Sequence, residues 1–340
     1  MLSSEAAKRN SSLDLSRFLA ALIVFIGHFV WFDPRFFSWQ GNQLLEVVRS
    51  GNQSVLYFFT LSGFVLSRTT KKVDLRWLVA RMFRLMPVYL ICFLLPLVLV
   101  KIMAPEEFAN YSQTGLILGL FASQALFAQF YLAGANSPLW SLSVEIWLSA
   151  GLLVLHRLNK QYFLAFILII CEVLNYVFFQ PVVNGLTFFL IGIIFAKISK
   201  QSIKLAFDTR FVKSFFLVIT LCYWLLFPIL GLSVPSRRLV DLIGVTATLL
   251  FFESLRLSNS LDKVGNYLGA RSYSLYAVHG PILRLHSELF DVFWGKQLSS
   301  HQLWVYFISC IVLVLLATEV IFKFIEIPAV RCAKRFRTGK

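Results

Sequence analysis

The chain has 340 residues, of which 58% are hydrophobic and 14% are charged, and its mean hydropathy is +0.74. Soluble domains carry about 25% charged residues, so this composition excludes an ordinary soluble fold. The net charge of +15 comes from basic residues in short gaps between apolar runs, a pattern typical of membrane orientation and not of nucleic-acid binding. A spanning helix needs about 20 residues, so the chain has room for about ten spans in an all-α membrane fold.

Eleven apolar runs are long enough to be considered as spans. Their approximate limits are 13–32, 53–67, 85–103, 114–132, 138–155, 162–179, 182–196, 214–232, 239–255, 272–290 and 303–325. Basic segments place both termini in the cytoplasm, because lysine and arginine concentrate on the inner side of a membrane.

An odd number of spans would leave the two termini on opposite sides, so one run does not span. We expect this run to be 114–132, as a re-entrant or interfacial helix, because it carries Ser123, Gln124 and Gln129. The prediction is one transmembrane domain over residues 1–340, with ten spans between about 13 and 331, in the inner (plasma) membrane.

The first run carries Asp14, Arg17 and His28 on one face of the predicted helix. Ionisable groups inside a membrane usually face a cavity or a partner. Histidine exchanges protons near neutral pH, so His28 is a candidate general base; the alternative is a packing residue that hydrogen bonds to a neighbouring helix. Asp14 and Arg17 are functional candidates too, or an i, i+3 ion pair at the membrane surface.

Arg81 and Arg84 stand at the cytoplasmic entry to the third run. Two guanidinium groups at i, i+3 face one way and can hold phosphate, as a coenzyme A thioester would require. The alternative is that they only orient the helix by positive charge, and their spacing alone favours that interpretation.

The fifth run opens with Trp140, Ser141 and, one and a half turns later, Glu145. Glu145 is suited to orient His28, accept its proton or bind an acceptor, and Trp140 is suited to stack on a sugar ring. The alternative is a plain helix start, with Ser141 as the cap and Trp140 in an aromatic belt.

The tenth run places Tyr276 and His279 at i, i+3, just before Gly280-Pro281. Proline weakens or kinks a helix, and kinks in spanning helices often lie beside cavities; a packed kink is the alternative. The sequence leaves open the roles of five further residues in apolar runs, which are Glu172, Glu253, Arg284, His286 and Glu319.

The motifs of several catalytic classes are absent from the sequence. It contains no glycine-rich phosphate loop, no HExxH, no GxSxG and no clustered Cys/His metal site. The chemistry expected inside the bundle is therefore acid–base catalysis without a metal.

Seven segments, taken in chain order, resemble the membrane-bound acyltransferase 3 family, multi-span enzymes that modify surface glycans. They are Leu13-Asp14-Leu15-Ser16-Arg17-Phe18-Leu19-Ala20-Ala21 followed by Val24 and His28, Phe58-Phe59-Thr60-Leu61-Ser62-Gly63-Phe64, Arg81 and Arg84 with Pro87, Trp140-Ser141-Leu142-Ser143-Val144-Glu145, Phe189-Leu190-Ile191-Gly192, Ser272-Tyr273-Ser274-Leu275-Tyr276 with His279 and Pro281, and Glu326-Ile327-Pro328 with Arg331. The chain is similar to the stand-alone form, which lacks a fused esterase-like domain. Ser16 and Phe18 stand where many members have glycine.

The resemblance implies a ten-span fold, a cytoplasmic acyl-CoA donor, expected to be acetyl-CoA, and a hydroxyl acceptor on an extracytoplasmic glycan or lipid-linked saccharide. It implies that His28 is essential and that Arg17, Arg81 and Arg84 are the family's arginines, which we assign to the donor.

Glu145 is the family's glutamate, and we group it and Asp14 with His28 as catalytic residues. We assign Trp140, Ser141, Tyr276 and His279 to the acceptor. A transporter or flippase of a lipid-linked glycan is the alternative function, because it would also need buried ionisable groups and a cavity.

Overall fold

A computed structural model describes residues 10–33, 35–36, 51–70, 72–123, 126, 136–157, 161–177, 180–197, 209–230 and 234–338. Every regular element among these residues is a helix, so the all-α class is confirmed. The helices are α1 (Ser11–Phe32), α2 (Gly51–Thr69), α3 (Leu75–Met103), α4 (Pro105–Ala109), α5 (Gln113–Leu120), α6 (Leu139–Leu155), α7 (Gln161–Val177), α8 (Pro181–Ala196), α9 (Arg210–Leu221), α10 (Val234–Ser254), α11 (Asn259–Trp294), α12 (Ser300–Ile321) and α13 (Ile327–Thr338). Single π-helical turns follow α9, at Cys222–Leu226, and α12, at Phe322–Glu326.

Three of the described helical segments are long and apolar enough to cross a membrane, namely Ser11–Val30, Leu75–Met103 and Ser300–Thr338. Leu139–Leu155, Tyr162–Val177 and Pro181–Ala196 are apolar but shorter. Large apolar side chains such as Ile102 on α3 and Leu316 on α12 are exposed, as expected for helices that face lipid. The described residues therefore support a membrane protein, and the count of ten spans stays a prediction.

Several helices extend beyond the apolar runs that predicted them. α3 begins ten residues before the run 85–103, because the side chain of Asp74 caps it by accepting a hydrogen bond from the Trp77 backbone N–H at 2.8 Å. Arg81 and Arg84 therefore lie on a helix and not in a loop.

The predicted re-entrant run 114–132 lies partly outside the described residues. Its described part is α5, whose eight residues rise only about 12 Å and cannot span a membrane. A turn follows at Ala122, which has a positive φ of 52°. Ser143 and Trp147 on α6 both donate hydrogen bonds to the Ala122 carbonyl, which holds this turn against α6.

The chain divides into two compact units, and α1, α8 and α11 contribute residues to both. The first unit comprises Met1–Val24, Asn42–Lys71 and Phe188–Ser272. Within it, α2 and α8 cross so closely at Gly63 that a Cβ there would lie 2.1 Å from the Phe189 carbonyl oxygen. Small residues permit such close backbone contact between membrane helices.

The second unit comprises Phe25–Gly41, Lys72–Thr187 and Tyr273–Lys340. In it, α13 packs along α3, and the Arg76 guanidinium donates hydrogen bonds to the Phe336 carbonyl. The Ser274 hydroxyl donates to Glu326 at 2.6 Å, which satisfies a buried carboxylate. The histidine pair and the cavity described below lie wholly within this unit.

Candidate active site

Two prolines interrupt the hydrogen-bond ladders of α3 and α11 in the second unit. Proline has no backbone N–H, so Pro96 leaves the Cys92 carbonyl without its helical donor, and Pro281 does the same to Ala277. The side-chain amide of Asn136 donates to both carbonyls, at 2.9 Å to Cys92 and 3.1 Å to Ala277. Asn136 thus replaces two missing backbone donors and ties the two helices together.

Two imidazole rings meet where α1 and α11 approach each other. Nε2 of His279 lies 3.2 Å from Nδ1 of His28, and the ring centroids are 5.1 Å apart. His279 is fully buried, with the rings of Phe25 and Tyr276 in edge contact at 6.4 and 5.7 Å. Pairing of these two histidines, 251 residues apart in the chain, was not predicted from the sequence.

The hydroxyl groups of Ser141 and Tyr276 also come together, at 2.6 Å. Ser141 makes this contact, and one to the Pro138 carbonyl, and it does not cap α6, which begins at Leu139. The predicted alternative in which Ser141 serves as the helix cap is therefore wrong. Trp140 is half-buried in the first turn of α6.

A cavity of about 330 Å³ lies at His28. This volume is at the lower end of the range for small-molecule sites. Its lining residues come from the end of α1, from residues 137–138 and from α11 and α12, and they are His28, Phe29, Asp33, Ser137, Pro138, Gly280, Leu283, Arg284, Ser287, Glu288 and Tyr306. His28 lines this cavity, whereas His279 is buried behind it.

One side of the cavity is built by a charged cluster around Arg35. Its guanidinium donates to Asp33 at 2.8 Å, to the Ser287 hydroxyl at 2.9 Å and to Asp291, and it lies 4.6 Å from the centre of the Tyr306 ring. The Tyr306 hydroxyl also donates to Asp33. The Asp33 carboxylate therefore accepts hydrogen bonds from two side chains of the protein while it lines the cavity.

Arg284 occupies another side of the cavity and is held by a short helix outside the spans. It donates two hydrogen bonds to Glu107 on α4, at 2.8 and 2.6 Å. These bonds hold the pKa of Glu107 at about 2, well below its usual value, and Tyr111 donates a third bond to the same carboxylate. Glu107 is thus an anion at neutral pH, and it neutralises the Arg284 guanidinium, which is the only guanidinium among the described residues that line the cavity.

The two predicted donor-binding arginines on α3 have different surroundings. Arg81 is 9% exposed and donates to Glu145 at 3.0 Å and to the Ser149 hydroxyl at 2.7 Å, so the structure pairs Glu145 with an arginine. Arg84, one turn later, is exposed. Of the two, only Arg84 presents its guanidinium directly at the protein surface.

Asp14 and Arg17 form an ion pair at 3.1 Å within the first unit, the i, i+3 pair that the sequence offered as one of two interpretations. The Asp14 side chain is buried. Among the five residues whose roles the sequence left open, Arg284 lines the cavity and Glu253 pairs with Arg68.

Sequence reasoning missed Asn136 and several polar residues of the cavity wall, namely Asp33, Ser287, Glu288 and Tyr306. It also missed Arg35, which bonds to Asp33. A signal existed for part of this wall. Asp33 and Arg35 come just after the first apolar run, at the end of the run that carries His28. Opposite charges that close to the end of a span indicate a polar site formed by paired side chains.

These features define a helical membrane protein in which a histidine pair, one member of it fully buried, lies beside a cavity lined by polar and apolar side chains. A family model described as an acyltransferase domain matches residues 10–321. Because this match covers most of the chain, the protein belongs to the acyltransferase 3 family, as its motifs predicted.

Two relatives carry related names. Acyltransferase MdmB of Streptomyces mycarofaciens is 35% identical over 144 residues, which are 40% of this chain and 36% of the relative. An O-acetyl transferase of Shigella phage Sf6 is 24% identical over 177 residues, 47% of this chain and 51% of the relative. The chain thus matches only about a third to a half of the length of these relatives. No solved structure matches the chain.

Proposed function

We propose that the protein is a membrane O-acyltransferase. It moves an acyl group, expected to be acetyl, from cytoplasmic acyl-CoA to a hydroxyl of an extracytoplasmic glycan or lipid-linked saccharide. In the reaction the acceptor oxygen forms an ester with the acyl carbon, the thioester bond breaks, and the acceptor proton leaves with free CoA. The observation that carries this proposal is the placement of His28 in the wall of a cavity that polar and apolar side chains line together.

His28 supplies the proton chemistry in either of two routes. As a general base it removes the hydroxyl proton while the acceptor oxygen attacks the thioester. As a nucleophile it first carries the acyl group and then passes it to the acceptor. Both routes need an unprotonated ring nitrogen of His28 that faces the cavity.

The acceptor enters the cavity as a polyhydroxyl group. Ser137, Ser287 and Glu288 line the space with hydrogen-bonding groups, and Phe29 and Tyr306 supply aromatic surface. Such a mixture of a few polar groups with aromatic walls is typical of small-molecule sites. We also keep Trp140, Ser141 and Tyr276 as proposed contacts of the acceptor. The hydroxyl groups of Ser141 and Tyr276 are hydrogen-bonded to each other, and the Tyr276 ring contacts the His279 ring beside the cavity.

The donor phosphates bind at the cytoplasmic end of α3. Arg84 is the direct contact, because its guanidinium is exposed. Arg81 and Glu145 act as a pair in which the carboxylate holds the guanidinium in place. Arg17 and its partner Asp14 stay proposed residues of the donor side. For the membrane arrangement we propose ten spans, one re-entrant segment, cytoplasmic termini and a location in the inner (plasma) membrane.

The test is release of free CoA from acetyl-CoA by the purified protein in lipid vesicles, together with mass spectrometry of the surface glycans of cells with and without it. The expected result is CoA release and added acetyl groups that both require His28. A transporter or flippase has no reason to release CoA, so acetyl-CoA that stays intact while a glycan is moved would contradict the proposal.

A further inference from the structure

The charges around the cavity at His28 do not cancel on the side of Arg35. This guanidinium bonds to two carboxylates, that of Asp33, at 2.8 Å, and that of Asp291. Asp33 lines the cavity directly. Because one positive charge pairs with two negative charges, the described residues leave an excess of negative charge on this side of the cavity.

The side of Arg284 repeats this imbalance. Its guanidinium donates to both oxygens of the Glu107 carboxylate, at 2.8 and 2.6 Å, and lies 3.9 Å from the carboxylate of Glu288. A bidentate pair commits the guanidinium to one carboxylate, and 3.9 Å is too long for a hydrogen bond. Because Glu107 already neutralises Arg284, the negative charge of Glu288 is only partly offset.

Glu288 is also placed to meet a ligand. Its side chain is 45% exposed, and it lines the same cavity of about 330 Å³ as His28. Asp33, the other carboxylate of the described lining, is buried and accepts hydrogen bonds from Arg35 and Tyr306. Of these two carboxylates, Glu288 is therefore the one that can accept hydrogen bonds from a molecule in the cavity.

The chemistry of a carboxylate restricts which groups can approach Glu288. An ionised carboxylate accepts hydrogen bonds but donates none, and it attracts cations and repels anions. A hydroxyl group therefore suits Glu288, an ammonium group suits it better, and a carboxylate or phosphate is repelled. One unit charge at about 4 Å changes a binding constant by about fivefold where water has access, and by more where water is displaced.

We propose that Glu288 is a specificity-determining residue and that the acceptor is a hydroxyl compound with an ammonium group, and no acidic group, in the part that enters the cavity. An amino sugar is the simplest compound of this class. The inference rests on the proposed function, because it names the substrate class of that same site. It requires that any phosphate of a lipid-linked acceptor stays outside the cavity.

Three matched sugars test this charge selectivity. Methyl glucoside, its 6-amino-6-deoxy derivative and methyl glucuronide differ only in the group at carbon 6, which is neutral, cationic and anionic, respectively. The shift in thermal midpoint with sugar concentration, at constant ionic strength, gives the Kd of each sugar for the purified protein in detergent micelles. We expect the amino sugar to bind about fivefold more tightly than the glucoside, and the glucuronide about fivefold more weakly. Equal affinities of the three sugars, or no binding of the amino sugar, would overturn the proposal.

Substitutions of Glu288 test the cause. Glu288→Gln should lower the Kd ratio of glucuronide to amino sugar from about 25-fold to about fivefold or less, and Glu288→Lys should reverse the order of these two sugars. Glu106→Gln is the matched control, because it removes an exposed carboxylate of α4 that is absent from the described lining of the cavity. It should leave the ratio unchanged. A wild-type ratio in both Glu288 variants would overturn the proposal.

The wild-type protein provides a measurement that does not depend on how well the variants fold. Added salt should shrink its Kd ratio, because ions screen the charge of a partly exposed carboxylate. A ratio that did not change with salt would contradict the role of Glu288.

The same sugars, offered as acceptors together with acetyl-CoA, separate this inference from the proposed function. CoA release should be most efficient with the amino sugar, and the preference should lie in KM more than in kcat, because Glu288 contacts the acceptor away from the reacting atoms. Charge-selective binding without CoA release would reject the proposed function and leave the charge selectivity standing. Release that requires His28 but shows no charge preference would reject the selectivity alone.

Discussion

Replacement of Asn136 by leucine should destabilise the protein strongly, because it removes the only donors that the described residues offer to two proline-orphaned carbonyls. Leucine has a similar size, so the main change is the loss of the two hydrogen bonds to Cys92 and Ala277. A buried carbonyl left without a donor costs about 1–3 kcal/mol. For two carbonyls we expect the free energy of unfolding to fall by about 2–6 kcal/mol.

Substitution of the two prolines shows how much of this loss of unfolding free energy comes from each carbonyl. Pro96→Ala restores a backbone N–H to Cys92, and Pro281→Ala restores one to Ala277. In either background Asn136→Leu should cost about half as much as in the wild-type protein, and in the doubly substituted background it should cost least. Measuring Asn136→Leu with and without each proline isolates the coupling free energy between Asn136 and that proline.

The assay is reversible unfolding in mixed detergent micelles, followed by tryptophan fluorescence. Asn175→Leu is a matched control: its amide donates at 3.2 Å to the Thr187 hydroxyl and not to a carbonyl orphaned by proline. Its cost should be about 1 kcal/mol and the same in all backgrounds. If Asn136→Leu cost equally much with and without the two prolines, the role of Asn136 as a substitute for the missing backbone donors would be refuted.

Three further predictions concern the site. His28→Ala should lower CoA release by about 10²–10⁴-fold at unchanged protein level. His301→Ala, which replaces an exposed histidine, should not lower it. If His28→Ala kept more than about a tenth of the wild-type release, His28 would not be the principal base. Arg84→Ala should weaken acetyl-CoA binding at normal abundance. Arg81→Ala should lower abundance, because it removes the guanidinium that pairs with Glu145, and a second substitution, Glu145→Gln, should restore it. Equal effects of the two alanine variants on abundance would contradict this difference. The pKa of Glu107 is about 2, below its ordinary 4.5, so its contribution to stability is present above pH 4.5 and is lost as the pH falls towards 2. The thermal midpoint of Glu107→Gln should therefore depend less on pH in this window than that of the wild-type protein. Parallel curves of thermal midpoint against pH for the two proteins would exclude a stabilising role of the Glu107 carboxylate.

The helical class and the positions of most helices could be predicted from the sequence because hydropathy is a local property. Ten of the eleven apolar runs, all but 114–132, fall largely on described helices. The helix ends were predicted less well, because charged turns continue the helix on both sides of an apolar run. α3 begins at its Asp74 cap and carries Arg81 and Arg84 before the apolar part starts.

Pairing between distant residues could not be predicted in the same way. His28 and His279 were each singled out, but their contact depends on the packing of α1 against α11. Glu145 was expected to orient His28, accept its proton or bind an acceptor, and these roles stay predictions. Its contact with Arg81, 64 positions away on a neighbouring helix, was not predicted. Single residues therefore carried enough signal to be chosen as candidates, while their partners depended on tertiary structure.

Asn136 links the two prolines to the cavity. Pro281 follows His279 by two residues, so the missing backbone donor lies beside the histidine pair. Gly280 lets Asn136 approach, since a Cβ at position 280 would lie 2.5 Å from the Asn136 side-chain oxygen. Residues 137 and 138, which follow Asn136 directly, line the same cavity as His28. The side chain that satisfies the broken ladder of α11 therefore also fixes a wall of the cavity, so a change at Asn136 should alter acyl transfer even where the protein still folds.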